Sequence, residues 1–267
     1  MKGAWKLLMF TVLGAFVIMA LLGPWLAPYD PYALGEQAAE APSAAHWCGT
    51  DQLGRDVLSR LIYGARTSMG VAVGAVAAAL FAGTMMGLVA GWRGGWIDAV
   101  LSRAMDVMFA LPAILMALVV LAVLGRGPMN IALAIAIVYT PIFARLARGQ
   151  TMAIKQQPYV EAARALGLPA RRIVMRHVLP NITGPLLVQT TLSLALAILA
   201  EAALSYLGLG GSPDAPTWGN MLRTGKDWMQ QAWWIAVYPG GAITLLVLSI
   251  NTLSGGGASI RPRRSSA

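Results

Sequence analysis

Charge is what this sequence has least of. Of its 267 residues only 12% are Asp, Glu, Lys or Arg, against about 25% in an average soluble domain, and 57% are hydrophobic. Too little polar chain remains to cover so much apolar side chain, which excludes an ordinary soluble protein. One cysteine, Cys48, excludes both a disulfide framework and a zinc cluster built on thiolates. No Gly-x-x-x-x-Gly-Lys-Ser/Thr stretch occurs, so the chain has no phosphate-cradling loop of its own. His-Glu-x-x-His and Ser-His-Asp patterns are also missing, as are internal repeats and low-complexity linkers.

The shortage of charge is concentrated in particular places. Residues 7–29, 67–92, 107–125, 127–144, 177–200 and 228–260 carry no Lys, Arg, Asp or Glu, and together they make up 143 of the 267 residues. About 20 apolar residues in a helix cross a hydrocarbon core of roughly 30 Å, so each gap predicts one transmembrane helix, with ends reaching past the flanking charges. The runs are continuous rather than alternating, which favours helices over barrel strands. One such run can pack inside a large soluble core, but six leave nothing to surround them. The first run follows Lys2 and Lys6 as a secretory signal would, yet Pro24-Trp25-Leu26-Ala27-Pro28 offers no small-x-small cleavage site, and a retained anchor is expected. Gly70, Gly74, Gly83 and Gly87 predict close helix packing in the second span. Prolines 112, 141, 185 and 239 fall in or near spans, where kinks are tolerated.

A formal charge of +9 would ordinarily raise nucleic acid as a partner. Its distribution points instead to a membrane orientation. With the amino terminus inside, 14 of the 20 basic residues fall in cytoplasmic segments, seven of them between Arg145 and Arg176. The outer segments then hold Arg55, Arg60, Arg66, Arg126, Arg223 and Lys226 beside most of the acids. Both termini are therefore expected in the cytoplasm, with lipid rather than nucleic acid around the chain.

The longest inner connection carries Tyr159-Val160-Glu161-Ala162-Ala163-Arg164-Ala165-Leu166-Gly167-Leu168-Pro169 and continues to Pro180-Asn181. It predicts helix, turn, helix: good helix formers over 159–166, Gly167 just past the end, Pro169 in the first turn of a second helix, and that helix ending before Pro180. Physics alone leaves two readings open. The Ala-rich knob enters a cleft in another protein, or the arginines lay an amphipathic helix on anionic headgroups.

The spacing of Glu161-Ala162-Ala163, Gly167 and Leu179-Pro180 resembles the EAA loop of ABC-importer permeases. A second stretch, Gly49-Thr50-Asp51-Gln52-Leu53-Gly54-Arg55-Asp56 with Arg60, is similar to the segment before the second span in C-type permeases of dipeptide, oligopeptide and nickel importers. Arg103 and Asp106 with Pro112, Ala144 to Gly149, Leu204 to Gly210 and Pro216-Thr217-Trp218-Gly219 extend the likeness over residues 25–250. The tail departs from it: Asn251-Thr252-Leu253-Ser254-Gly255 lacks the acidic and Arg-Asp positions usual in the family.

The resemblance implies an all-α polytopic membrane protein with six transmembrane helices, five in a type-I permease core plus an amino-terminal one. It implies a division into 1–28 (inner terminus and first helix), 29–66 (periplasmic), 67–254 (permease domain, coupling loop at 150–180) and 255–267 (inner tail). It further implies a bacterial inner-membrane importer of small peptides, with nickel, glutathione or another small solute as alternatives. Its partners would be a second homologous permease, two ABC ATPase subunits and an extracytoplasmic binding protein. The chain would hold no cofactor, since ATP binds the partner, and no catalytic residue.

Some single residues carry separate expectations. Glu201, in the fifth span, either bonds neighbouring helices or lines the pathway. Arg103 and Asp106, three apart on a helix, are expected to pair. Arg55, Asp56 and Arg60 are expected on an outer-surface helix, as a solvated face or a binding-protein contact. His46 and Cys48 are too few to make a metal site, and His177 is expected to cap or face an interface. The rivals to a permease are a secondary transporter, for which Asp106 and Glu201 supply few coupling carboxylates and no repeat appears, and an intramembrane enzyme, for which no nucleophile or metal pattern appears.

Overall fold

The computed structural model describes residues 2–257, with side chains from 4 to 252. Ten α-helices occur among them: α1 (Lys2–Leu26), α2 (Val57–Arg93), α3 (Gly95–Ala110), α4 (Ala113–Leu124), α5 (Pro128–Lys155), α6 (Pro158–Ala165), α7 (Ala170–Ile173), α8 (Leu179–Tyr206), α9 (Trp218–Asp227) and α10 (Trp234–Gly257). A π-helical turn, Val174–Val178, joins α7 to α8. The described residues contain no strand, only an isolated bridge between Thr50 and Asp56.

Among the described residues, five stretches are long and apolar enough to cross a membrane: Ala4–Leu26, Val57–Arg93, Pro128–Lys155, Ala170–Tyr206 and Trp234–Thr252. The charge-free run at 107–125, expected as one continuous span, is instead broken, with α3 and α4 meeting at a 98° bend. The cause is local. Pro112 disfavours the helical conformation at Leu111, which sits at φ −99°, ψ 140°. Counting the bent pair as one span gives six. Pro141, Pro185 and Pro239 lie inside continuous helices.

A second expectation also fails: the helix carrying Arg171, Arg172 and Arg176 does not end before Pro180 but runs through it into α8. The π turn directly before it widens the helix, with the Leu179 amide donating to the Val174 carbonyl. That register change admits a proline, which has no N–H to donate, at the second residue of α8.

The chain divides into two compact units, residues up to Gly70 with those from Leu194 onward, and residues Val71–Ser193. In the first, α1 packs against α10, and Ser249 Oγ donates to Met9 Sδ at 3.7 Å. α9 packs on α10 where Gly225 abuts the Ala236 backbone, a position with no room for a Cβ. Trp218, fully buried, meets Phe16 edge-on at 5.7 Å and donates from its indole to the Leu61 carbonyl at 3.0 Å. Trp5, Leu7, Leu8, Phe10, Leu21 and Trp25 of α1 all remain exposed within this chain. Each would cost about 1.5–3 kcal/mol in water relative to burial, so this face belongs against lipid or another subunit.

In the second unit, Gly83, Gly87 and Gly91 of α2 meet the carbonyls of Thr140, Ala144 and Arg148 on α5. Glycines four apart thus run along carbonyls four apart, and a Cβ at any of the three would strike backbone. Gly74 of this unit and Gly70, the last residue of the first unit on α2, both expected to pack in the same way, instead have open space beside them. The helical spacing is the same, but those two residues point away from this chain's other helices.

Candidate functional site

Helix α6 begins with Pro158 at its first position and carries Glu161 in its first turn, where a negative charge suits the helix dipole. Val160 and Ala163 are buried and hold it down, while Glu161, Ala162, Ala165 and Leu166 are exposed. The Gly167 amide donates to the Arg164 carbonyl at 2.9 Å and the Leu168 amide to the Ala163 carbonyl at 3.2 Å. This is a Schellman closure, and it requires the left-handed backbone that Gly167 adopts at φ 75°. Pro169 precedes the first residue of α7 rather than entering it. Leu179 and Pro180 open α8, and the Asn181 side-chain amide donates to the His177 carbonyl at 2.6 Å. Glu161, Ala162 and Gly167 therefore lie on one exposed knob with Ala163 turned inward, and Leu179 and Pro180 open the long helix that follows.

The knob is tied into its unit by aromatic contacts. The Arg164 guanidinium lies 4.6 Å from the Trp92 ring centre, at the end of α2. Lys155, the last residue of α5, donates from Nζ to the Trp92 carbonyl at 2.6 Å. Tyr159 of α6 faces the ring of His177 at 6.2 Å. A cleft among Gly91, Asp98, Lys155, Glu161 and Arg164 opens beside them.

Arg103 and Asp106 do not pair. Arg103 is exposed, and Asp106 accepts from Arg145 of α5 at 2.6 Å, with the Arg145 guanidinium 4.0 Å from the Phe109 ring centre. Asp106 therefore has a partner on the neighbouring helix, and Phe109, one turn on, holds that partner over it. Arg148, one turn along α5, grips Asp98 with two bonds, Nε to Oδ1 at 2.5 Å and Nη2 to Oδ2 at 2.7 Å. This second tie went unpredicted. Its signal was present in two arginines three apart on one helix and two aspartates eight apart on another.

The segment before α2 also departs from expectation. Arg55 and Asp56 precede α2 and Arg60 lies in its first turn, and all three are buried rather than on a solvated face. Arg55 bonds Asp51 through Nε at 2.7 Å and Asp214 through Nη1 at 3.0 Å. Arg60 donates to the Pro31 carbonyl at 2.9 Å and faces Asp51 at 3.4 Å. Asp56 accepts from the amide and hydroxyl of Ser59, both at 2.7 Å, and lies 2.9 Å from His46 Nδ1. Gly49 and Gly54 adopt positive φ of 73° and 74°, and the Trp234 indole donates to the Thr50 carbonyl at 3.0 Å. These residues pin the irregular segment 27–56 to α2, the loop before α9 and the start of α10. Beside them, burial and the charge of Asp56 push the Cys48 thiol up from its ordinary value.

Glu201 is almost wholly buried in α8. Its Oε1 accepts from Ser205 Oγ at 2.8 Å, Ser68 of α2 faces it, and Oε2 has no partner. The Ser68 hydroxyl also accepts from the Trp218 amide at 3.3 Å, so the carboxyl sits among α2, α8 and the start of α9.

Residues 83–260 match the family of binding-protein-dependent transport system inner membrane components, and residues 7–44 match the N-terminal TM domain of oligopeptide transport permease C. The chain is 42% identical to a dipeptide transport system permease of Alkalihalophilus pseudofirmus over 92% of this chain and 81% of that one. It is 43% identical to a di/tripeptide transport system permease of Pseudomonas aeruginosa over 96% and 86%. It is 45% identical to a glutathione transport system permease of Shigella flexneri over 90% and 80%. The fold resembles a crystal structure of an amino acid ABC transporter with histidines, at a TM-score of 0.58 and 16% identity, covering 74% of this chain and 92% of that one. With two thirds of its length inside the family pattern, this chain belongs to the binding-protein-dependent transport system inner membrane components, the permease subunits of ABC importers.

Proposed function

We propose that this permease subunit carries di- and tripeptides inward across a bacterial cytoplasmic membrane, with both termini in the cytoplasm. Residues 29–66 lie on the outer side in this reading and residues 67–254 form the transport domain. Its partners are a second homologous permease, two ATPase subunits and an extracytoplasmic binding protein. The work of ATP enters through Glu161, Ala162, Ala163 and Gly167, with Leu179 and Pro180 passing it to α8. No cofactor binds this chain, and hydrolysis takes place in the partner.

One observation carries the coupling role. The α6 knob is closed at Gly167, anchored by Val160 and Ala163, and presents Glu161, Ala162, Ala165 and Leu166 outward with no cover among the described residues. Small and exposed, it suits a cleft in another protein better than a bilayer surface, because α6 is Ala-rich and its one acid, Glu161, offsets its one base, Arg164. The two peptide permeases among the relatives support the substrate class. The glutathione permease at 45% identity supports glutathione, itself a tripeptide, as the second reading.

The test is a tagged copy purified from its native membrane, then reconstituted in liposomes with its binding protein. Co-purifying ATPase subunits and ATP-dependent uptake of radiolabelled alanylalanine are expected. Uptake of glutathione but not alanylalanine selects the second reading, and uptake that follows an ion gradient without ATP overturns both.

A further inference from the structure

Trp92 stands where three elements of one unit end or turn. It is the penultimate residue of α2, Lys155 is the last of α5, and Arg164 lies in the last turn of α6. Gly94 and Gly95, at φ 66° and 58°, stop α2 immediately beyond it. The last carbonyls of a helix lack partners within the helix and carry partial negative charge. The Lys155 ammonium supplies the Trp92 carbonyl with a donor at 2.6 Å. The ring face, negative by its quadrupole, takes the Arg164 guanidinium at 4.6 Å. Two cations are thus gathered on one residue, Arg164 against the ring and Lys155 on the carbonyl with its ammonium 5.9 Å from the ring centre.

We propose that Trp92 is the transmission contact of this permease, through which movement of α6 is passed to the inner end of α2. The inference rests on α6 being the coupling helix. Within this unit α2 runs unbroken from Val71 to Arg93, so displacing its last turn displaces the face that carries Gly83 and Gly87. Gly91 lies against Thr151 and the Arg148 carbonyl, so the end of α5 must move with it. The Arg164 contact is made by an exposed side chain, which leaves it dispensable for folding but placed to take up motion of the knob.

Trp92→Leu removes the ring, and with it the Arg164 contact and the longer 5.9 Å approach of Lys155 Nζ to the ring centre, while keeping the carbonyl that Lys155 bonds. Arg164→Gln cuts the same link from the other side and leaves both the Trp92 ring and the Lys155 bond in place. Each is compared with Gly167→Pro, which breaks the knob itself, in liposomes holding the complete importer, with alanylalanine as probe. In both link variants the ATPase subunits are expected to co-purify and hydrolyse ATP, while uptake per ATP falls at least about fivefold, the low end of ordinary coupling between sites. Trp92→Phe and Arg164→Lys, which keep ring and cation, should recover much of that loss. If Trp92→Leu does not insert, Arg164→Gln decides. Wild-type uptake per ATP in the link variants with Gly167→Pro uncoupled overturns the Trp92 proposal and leaves the coupling helix standing. Wild-type coupling in Gly167→Pro as well removes the coupling helix reading itself. Loss of ATPase co-purification in Arg164→Gln makes Arg164 a docking residue and also overturns the proposal.

Discussion

Arg148 holds Asp98 with two hydrogen bonds from one guanidinium, joining α5 to the first turn of α3 across 50 positions of sequence. Both side chains are mostly sheltered, at 32% and 17% exposure, so the pair is worth more than a surface ion pair. Asp98→Asn is expected to destabilise the detergent-solubilised protein by about 1–3 kcal/mol, because it leaves a part-buried guanidinium without its counter-charge. Arg148→Lys, which offers no fork, should recover less than half of the pair. Thermal unfolding of the single and double variants measures the coupling, and additive losses would show that the two residues do not act together.

The glycine ridge gives a prediction with an internal control. Gly87→Ala puts a Cβ into the Ala144 carbonyl and the Ala147 side chain, and Gly83→Ala does the same at Thr140 and Phe143. Each should cost about 1–3 kcal/mol by overpacking. Gly74→Ala meets nothing within 4 Å and should leave the isolated subunit as stable as the parent, or slightly more so through better helix propensity. Unfolding midpoints of the three variants decide it.

Gly167 is needed for its backbone, since no atom lies within 4 Å of where its Cβ would be. An L-residue at φ 75° costs roughly 1–2 kcal/mol, and Asn costs least. Uptake by the reconstituted importer should therefore fall in the order Gly, Asn, Ala, Pro, the last failing because it can neither reach that φ nor donate to the Arg164 carbonyl. Equal uptake by all four would show that the closure at this turn is irrelevant.

Cys48 provides a pH test. Burial first, and the Asp56 charge second, disfavour the thiolate, so at neutral pH less of it is present than for an ordinary thiol. Alkylation by iodoacetamide should be slow at pH 7 and still rising with pH where an ordinary thiol has levelled off. In Asp56→Asn the charge contribution disappears and the curve should move to lower pH. A curve unchanged in that variant would leave burial as the sole cause.

The six charge-free runs could be seen in the sequence because a bilayer acts on composition alone: roughly 20 apolar residues make a span whatever surrounds them. The α6 turn was equally visible, since Gly167 answers to a local backbone angle. The ion pairs were not. Arg103 and Asp106 share a helix face, yet Asp106 bonds Arg145, 39 positions away. Arg55 and Arg60 look like surface charges until Asp51, Asp214 and Pro31 close over them.

From sequence alone came the number of apolar runs, the helix and turn around Gly167, and the family. All of these depend on residue type and short spacing. Only the tertiary structure decided that Pro112 breaks a run while Pro180 passes through one, that Gly83 and Gly87 pack while Gly74 does not, and that Trp92 collects Lys155 and Arg164. Each of those outcomes depends on which helix lies alongside, and helix spacing within one segment carries no record of its neighbour.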